Sequence, residues 1–262
     1  MENRFKDYKT IVVKVGTSTI TYPNGNLNLR MIDRLSWMIS DIKNRGKNVV
    51  LVSSGAIGVG SKRLGFEKRP DTTKQKQAAA AVGQAILMQI YQNFFNTYTQ
   101  TVAQILLTKT DFEQEVRRTN TENTFSELLS RGIVPIVNAN DTTSTFEIGF
   151  SDNDRLAANV AVLLKADLLI LLTDIDALYD KDPKKYDNAK RIKVVEKITP
   201  EIEAMAGSAG SEFSVGGMAT KVAAAKICVD GGTDMVVADG SDAAVIEKIT
   251  DGEDIGTLFI GK

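Results

Sequence analysis

The chain has 262 residues, 43% hydrophobic and 25% charged, an ordinary globular composition with core enough for one large α/β domain or two small ones. Lys plus Arg is 32 against 33 for Asp plus Glu, and a net charge of −1 gives no support for nucleic-acid or anionic-membrane binding. With no histidine and one cysteine, Cys228, the chain cannot build Ser-His-Asp or Cys-His triads, zinc sites of the usual Cys/His type, or an internal disulfide.

The N-terminus, MENRFKDYKT, is charged and lacks the apolar core of a signal peptide. Lys9 to Gly16 reads as the first strand. Its apolar run Ile11-Val12-Val13 is followed by one cation, Lys14, then Gly16 and the hydroxyls of Thr17, Ser18 and Thr19. An unpaired buried charge is costly. Lys14 therefore either reaches an anion held above the strand end or snorkels to water from an edge strand.

Asn28 to Arg45 reads as a helix, with Ile32, Leu35, Ile39 and Ile42 near helical spacing and Gly46 as its stop. Asn48 to Ser53 is a second strand, leading into a glycine-rich turn at Ser54-Gly55-Ala56-Ile57-Gly58-Val59-Gly60. A helix covers roughly Thr72 to Phe95. Val102 to Leu107 is a third strand, Asp111 to Ser130 a helix, and Ile133 to Asn138 a fourth strand running into Asn138-Ala139-Asn140-Asp141. After a loop or hairpin, a helix spans about Asp152 to Lys165. Asp167 to Thr173 is a fifth strand, ending at Asp174.

Residues 175 to 198 read as short strands and turns. Pro200 opens a helix at its first position. Gly207 to Gly217 reads as loop and Ala219 to Asp230 as helix, with Cys228 a small core residue. Met235 to Ala238 is a strand, Ser241 caps a short helix, and Thr257 to Ile260 is the last strand. Strands alternate with helices throughout. That predicts an α/β three-layer sandwich with a mostly parallel central sheet, read as one domain over residues 1–262. The apolar runs are strand-sized, too short to span a bilayer, so a soluble cytoplasmic protein is expected.

In open parallel sheets, ligands bind beyond the carboxyl ends of the strands. Gly16-Thr17-Ser18, Ser53-Ser54-Gly55, Asn138 to Asp141 and Thr173-Asp174 all fall there. Such turns, feeding helix N-termini, make anion sites. No G-x-x-x-x-G-K-[ST] occurs, and the glycines at 55, 58, 60 and 65 do not fit G-x-G-x-x-G. A second cationic element is Gly216-Gly217-Met218-Ala219-Thr220-Lys221. Its lysine opens a helix, where the dipole disfavours it, so it marks either an anion or an ordinary surface position. Ser151-Asp152-Asn153-Asp154 is either a helix cap or a site in which Asn153 binds substrate and Asp154 holds cations. Two lysines, backbone nests and a few carboxylates suit phosphoryl transfer, which depends on positioning and charge stabilisation. A carboxylate acceptor is ionised at neutral pH and needs no general base, so a site without histidine loses nothing.

KVGTS at Lys14, VSSGAI at Val52, NANDTT at Asn138, SDNDRLAA at Ser151, LLTD at Leu171 and GGMATK at Gly216 occur in the order seen in the amino-acid kinase family. The chain resembles those members that phosphorylate the side-chain carboxylate of L-glutamate, giving glutamyl 5-phosphate, the first step of proline synthesis. The resemblance implies an N-terminal half that binds the acceptor and a C-terminal half that binds the nucleotide. It implies ATP and Mg2+ as cofactors, the ion held by phosphates and water, and no protein metal ligands.

By the same resemblance Lys14 and Lys221 neutralise the phosphoryl group and Asp154 orients them. Ser54, Gly55, Asp141 and Asn153 bind glutamate. Lys14, Thr173, Asp174, Val215, Gly216, Gly217, Met218, Ala219, Thr220 and Lys221 contact the nucleotide. A homo-oligomer, a partnership with glutamyl phosphate reductase and proline feedback inhibition are family expectations, with no nucleic-acid or membrane partner. The chain departs from the family in three ways. It ends without the C-terminal PUA domain of many relatives, has Val215 where Thr is usual, and has Ala139 where Glu is usual. The rival readings are a same-fold kinase for another acceptor and a non-catalytic nucleotide-binding protein.

Overall fold

A computed structural model describes residues 4–68, 70–143, 152–181, 183, 185–208 and 217–261. The chain divides into two compact units. One holds residues 15–153; the other holds 1–14 and 154–262.

In the unit of residues 15–153 the strands are β2 (Asn48–Val52), β3 (Val102–Leu107) and β4 (Val134–Ala139), ordered β3-β4-β2 and all parallel. Register runs from Val102 opposite Val134 to Leu107 opposite Ala139. The helices are α1 (Thr17–Ile20), α2 (Leu29–Asn44), α3 (Ala56–Arg63), α4 (Thr73–Thr97), α5 (Thr110–Glu113) and α6 (Glu115–Ser130). Asn28 caps α2 by accepting from Met31 N at 3.1 Å, and Thr72 caps α4. The buried face of α2 is Ile32, Leu35, Ile39 and Ile42, as their spacing predicts.

The other unit contains β1 (Thr10–Val15), β5 (Leu168–Thr173), β6 (Val194–Val195), β7 (Asp234–Asp239) and β8 (Thr257–Phe259), ordered β1-β5-β7-β8-β6. Here β5 and β7 are parallel, in register from Leu168 opposite Asp234 to Thr173 opposite Asp239, whereas β7 and β8 are antiparallel. Its helices are α7 (Asn153–Leu163), which starts one residue before the unit does, α8 (Pro200–Ser208), α9 (Met218–Asp230) and α10 (Ala244–Thr250). Every residue of β5 is buried, as a continuous apolar run covered on both faces requires. The fold is α/β, with mostly parallel strands and helices on both faces, as the alternation predicts.

One carboxylate ties three segments of this unit together. Asp234, at the start of β7, accepts from Arg4 Nη2 at 2.8 Å and from the backbone N–H of Gly261 at 2.8 Å, and is also bonded by the Tyr8 hydroxyl. Burial and the adjacent Asp234 carboxylate hold the Tyr8 phenol well above its ordinary range.

Three expectations are corrected. The stretch Ser54 to Gly60 is not a turn; only Gly55 has left-handed backbone, at φ +92°, and α3 begins directly after it. Gly60 belongs in that helix because α4 crosses it closely. A Cβ on Gly60 would lie 1.8 Å from Ala79 O, and one on Gly83 1.8 Å from Ala56 O. The helix expected over Asp111 to Ser130 is broken at Gln114, whose ψ of 119° is extended. Ser241 caps no helix: its N–H and hydroxyl both bond the Asp239 carboxylate, and Ala243 is the N-cap of α10.

Candidate active site

The strand β1 carries Lys14 inward at its penultimate position, and the lysine is 6% exposed. The edge-strand alternative for Lys14 therefore does not hold. Its Nζ lies 2.5 Å from Asp154 Oδ1, in the first turn of α7. Lys221, in the opening stretch of α9 and 2% exposed, places its Nζ 3.2 Å from Asp154 Oδ2. It is not a surface lysine either. Thr220 Oγ1, with one hydrogen, lies 2.8 Å from Gly217 O and 3.2 Å from the same Oδ2.

So one carboxylate, 1% exposed, is shared by two ammonium groups delivered from separate elements. Burial is the largest single influence on Asp154 and opposes its ionisation. Lys14 and Lys221 together outweigh it and hold the carboxyl below the usual carboxylate range. The three charges sum to +1, an arrangement that attracts an anion.

A second cluster lies in the unit of residues 15–153. Asn153 Nδ2, with two hydrogens to share, faces three acceptors: Ser53 O at 2.9 Å, Ser54 Oγ at 2.9 Å and Asn138 Oδ1 at 3.1 Å. Asn138, at the end of β4, also donates through Nδ2 to Gln84 Oε1 of α4 at 2.9 Å. Ser53 Oγ and the Tyr91 hydroxyl are 2.9 Å apart. Gly55 takes its left-handed backbone directly after Ser54, with Ile20 Cδ1 3.2 Å from where a Cβ would stand. Half-buried Asp141 follows β4 and has no cation partner among the described residues. Burial pushes its carboxyl up to about 6.

At the carboxyl end of β5, Thr173 Oγ1 donates to Asp174 Oδ1 at 3.0 Å. A groove of about 270 Å³ opens near the carboxyl end of β7, lined by Asp176, Arg191, Asp239, Ser241 and Lys248 among others. Gly217 is the N-cap of α9 in extended backbone, and Met218, Ala219 and Thr220 form the first turn after it. Val215 and Gly216 lie outside the described residues, as do Ser151 and most of the 142–150 loop. Cys228 is fully buried in α9, and burial pushes its thiol up to about 12, so it is a core residue. In the sequence Asn138 stands only within a loop motif, and Gln84 looks like any residue of an Ala- and Gln-rich helix. The signal available was a glutamine on the buried stripe of α4 with Ala80, Leu87 and Tyr91.

The fold is α/β, and the chain belongs to the amino acid kinase family, whose model matches residues 9–239. Curated relatives about half identical to it are glutamate 5-kinases. That of Clostridium perfringens is 53% identical, over all of this chain and 99% of that protein. That of Clostridium acetobutylicum is 49% identical, over all of this chain and 98% of that protein. That of Thermoanaerobacter sp. is 52% identical over 95% of this chain but only 67% of its own length. Among solved structures, carbamate kinase from Giardia lamblia bound to AMP-PNP superposes with a TM-score of 0.68 at 16% identity, covering 98% of this chain and 100% of that one. UMP kinase from Bacillus anthracis gives 0.64 at 15% identity, covering 97% and 96%. At these identities the two structures bear on the fold alone.

Proposed function

We propose that this chain transfers the γ-phosphoryl group of ATP to the side-chain carboxylate of L-glutamate, giving glutamyl 5-phosphate, the first step of proline synthesis. The observation that carries the proposal is the Lys14–Asp154–Lys221 arrangement. Glutamate 5-kinases about half identical to the chain along its whole length support the choice of acceptor.

Lys14 and Lys221 bear on the phosphoryl group, where negative charge is spread over three oxygens during transfer. Preorganised cations stabilise that charge best where water is excluded. Asp154 keeps the two ammonium groups from separating and fixes the direction of each. The acceptor carboxylate is already ionised near neutral pH, so no residue need remove a proton.

Ser54, Gly55, Asp141 and Asn153 bind glutamate in this reading. Asp141, without a cation of its own, suits the substrate's ammonium group. Thr173, Asp174 and Val215 to Lys221 contact the nucleotide, with its nucleoside toward the groove near Asp176 and Asp239. Ligands of parallel sheets bind at such strand ends. Magnesium bound to ATP would neutralise charge on the phosphates. The carboxylate at the centre of the site is committed to two lysines, a donor set that fits an ion ligated by phosphate and water.

Among the described residues no helix is long and apolar enough to cross a membrane. We place the chain in the cytoplasm as a homo-oligomer of one catalytic domain, its N-terminal half serving the acceptor and its C-terminal half the nucleotide. The product is a labile acyl phosphate, which fits direct delivery to a glutamyl phosphate reductase. The test is ADP production with glutamate against N-acetylglutamate, with hydroxylamine trapping of the acyl phosphate. Glutamate-dependent ADP and a trapped hydroxamate are expected; ATP binding without acceptor-dependent ADP would overturn the proposal.

A further inference from the structure

The helix α4 sends one amide inward. Gln84 is buried, and its Oε1 accepts a 2.9 Å hydrogen bond from Asn138 Nδ2. Asn138 is buried as well. Its Oδ1 accepts from Ala139 N at 2.9 Å and from Asn153 Nδ2 at 3.1 Å.

Two backbone groups decide which end of each amide is which. The Ala139 N–H can only donate, so it must face the oxygen of Asn138. The Ser53 carbonyl can only accept, so it must face the nitrogen of Asn153. Asn138 therefore turns its NH2 towards α4, and Gln84 Oε1 is the acceptor that meets it. At the other end of the chain of amides, Asn153 Oδ1 is buried and has no hydrogen-bond partner among the described residues. A buried carbonyl oxygen left without a donor is costly, and in a binding site it marks where a ligand donor belongs. An amino acid with two ionised carboxylates has one donor group, its ammonium.

We infer that Gln84 is a positioning residue for the acceptor. By closing the Asn138 amide it holds Asn153 with its carbonyl oxygen presented to the free ammonium group of the substrate. The inference rests on the proposed phosphorylation of glutamate and adds a residue that does not touch the substrate. A merely structural Gln84 would satisfy a buried amide and affect stability alone. A positioning Gln84 acts on one substrate and spares the other.

The test is Gln84→Met, which keeps the length of the side chain and removes the acceptor. Initial rates are measured against glutamate and against ATP, with a thermal melt alongside. The expected result is a KM for glutamate raised by about tenfold, the scale of one lost hydrogen bond to a buried group, with kcat and the KM for ATP changed by less than about twofold. An unchanged KM for glutamate, whether or not the melting temperature falls, would overturn the inference. So would a parallel loss in kcat and both KM values. Should Gln84→Met not fold, Gln84→Asn keeps the amide but falls one methylene short of Asn138, and it is read the same way. If the unsubstituted protein makes no ADP in response to glutamate, the proposed function fails and this inference falls with it. Normal turnover with an unmoved KM in the variant removes the role of Gln84 alone.

Discussion

Lys14 Nζ stands 2.5 Å from Asp154 Oδ1, and both groups are almost wholly enclosed. Replacing Lys14 by Met, or Lys221 by Met, removes charge that matters most in the transition state. Each change should lower kcat by about 100-fold or more while shifting the KM for glutamate far less. Steady-state kinetics on folded variants decides this, and wild-type turnover in either one would remove that lysine from the mechanism.

Asp154→Asn leaves two buried ammonium groups facing a neutral amide. Breaking a buried charge arrangement in this way costs on the order of 3–5 kcal/mol, so the melting temperature should drop sharply. The pH dependence has a definite sign. The folded-state carboxyl is held below its ordinary range, so its contribution is in place above the ordinary carboxylate pKa. It is lost as pH falls through the lowered value. Melts of Asp154→Asn should therefore lack part of the acid-side decline seen in the unsubstituted protein.

Asp141 behaves oppositely. Burial raises its carboxyl to about 6, so the folded chain holds that proton more tightly than the unfolded chain does. Its effect on stability grows worse as pH rises from the ordinary carboxylate range through about 6 and is constant above. Asp141→Asn should raise the melting temperature at about pH 8 more than at about pH 4.5. Only the ionised form attracts an ammonium group. The KM for glutamate should therefore fall as pH rises from about 5 to about 7, and Asp141→Asn should flatten that profile.

The crossing of α3 and α4 offers a contrast within one helix. A Cβ at Gly60 would meet backbone at 1.8 Å, whereas at Gly58 nothing lies within 4 Å. Gly60→Ala should force the helices apart and cost about 1–3 kcal/mol or more. Gly58→Ala should stabilise by about 0.5–1 kcal/mol, the ordinary gain in a helix interior. Denaturant melts of the two variants should move in opposite directions.

Cys228 is enclosed, and its thiol is pushed up to about 12. In the folded protein it should not react with an aromatic disulfide reagent at about pH 8, and in guanidinium it should react at once, because the nucleophile is the thiolate. Rapid labelling without denaturant would show that α9 opens.

Much of the fold is legible because the strands are continuous apolar runs with punctuated ends; β5 and β7 lie within a residue or two of their predicted bounds. Lys14 and Lys221 were legible as misfits, a cation in an apolar strand and a cation at a helix start. What joins them was legible only as one of two readings of Asp154 and through the family resemblance, since nothing local to Asp154 distinguishes a carboxylate shared by lysines from a helix-capping one. The helical state of Ala56 to Arg63 was hidden for a related reason. Glycine weakens an isolated helix, and only the approach of α4 explains why Gly60 must stand there. Gln84 was invisible because its partner, Asn138, lies far along the chain, near the end of the strand β4.

The hub at Asp234 bears on how the protein can be cut and handled. Shortening the chain back to the first strand would delete Arg4 and Tyr8 together, stranding an enclosed carboxylate with little more than one amide of the final residues to offset it. The leading residues ahead of that strand therefore work as a built-in latch, and fusions or deletions placed there change the solidity of the half that carries both lysines.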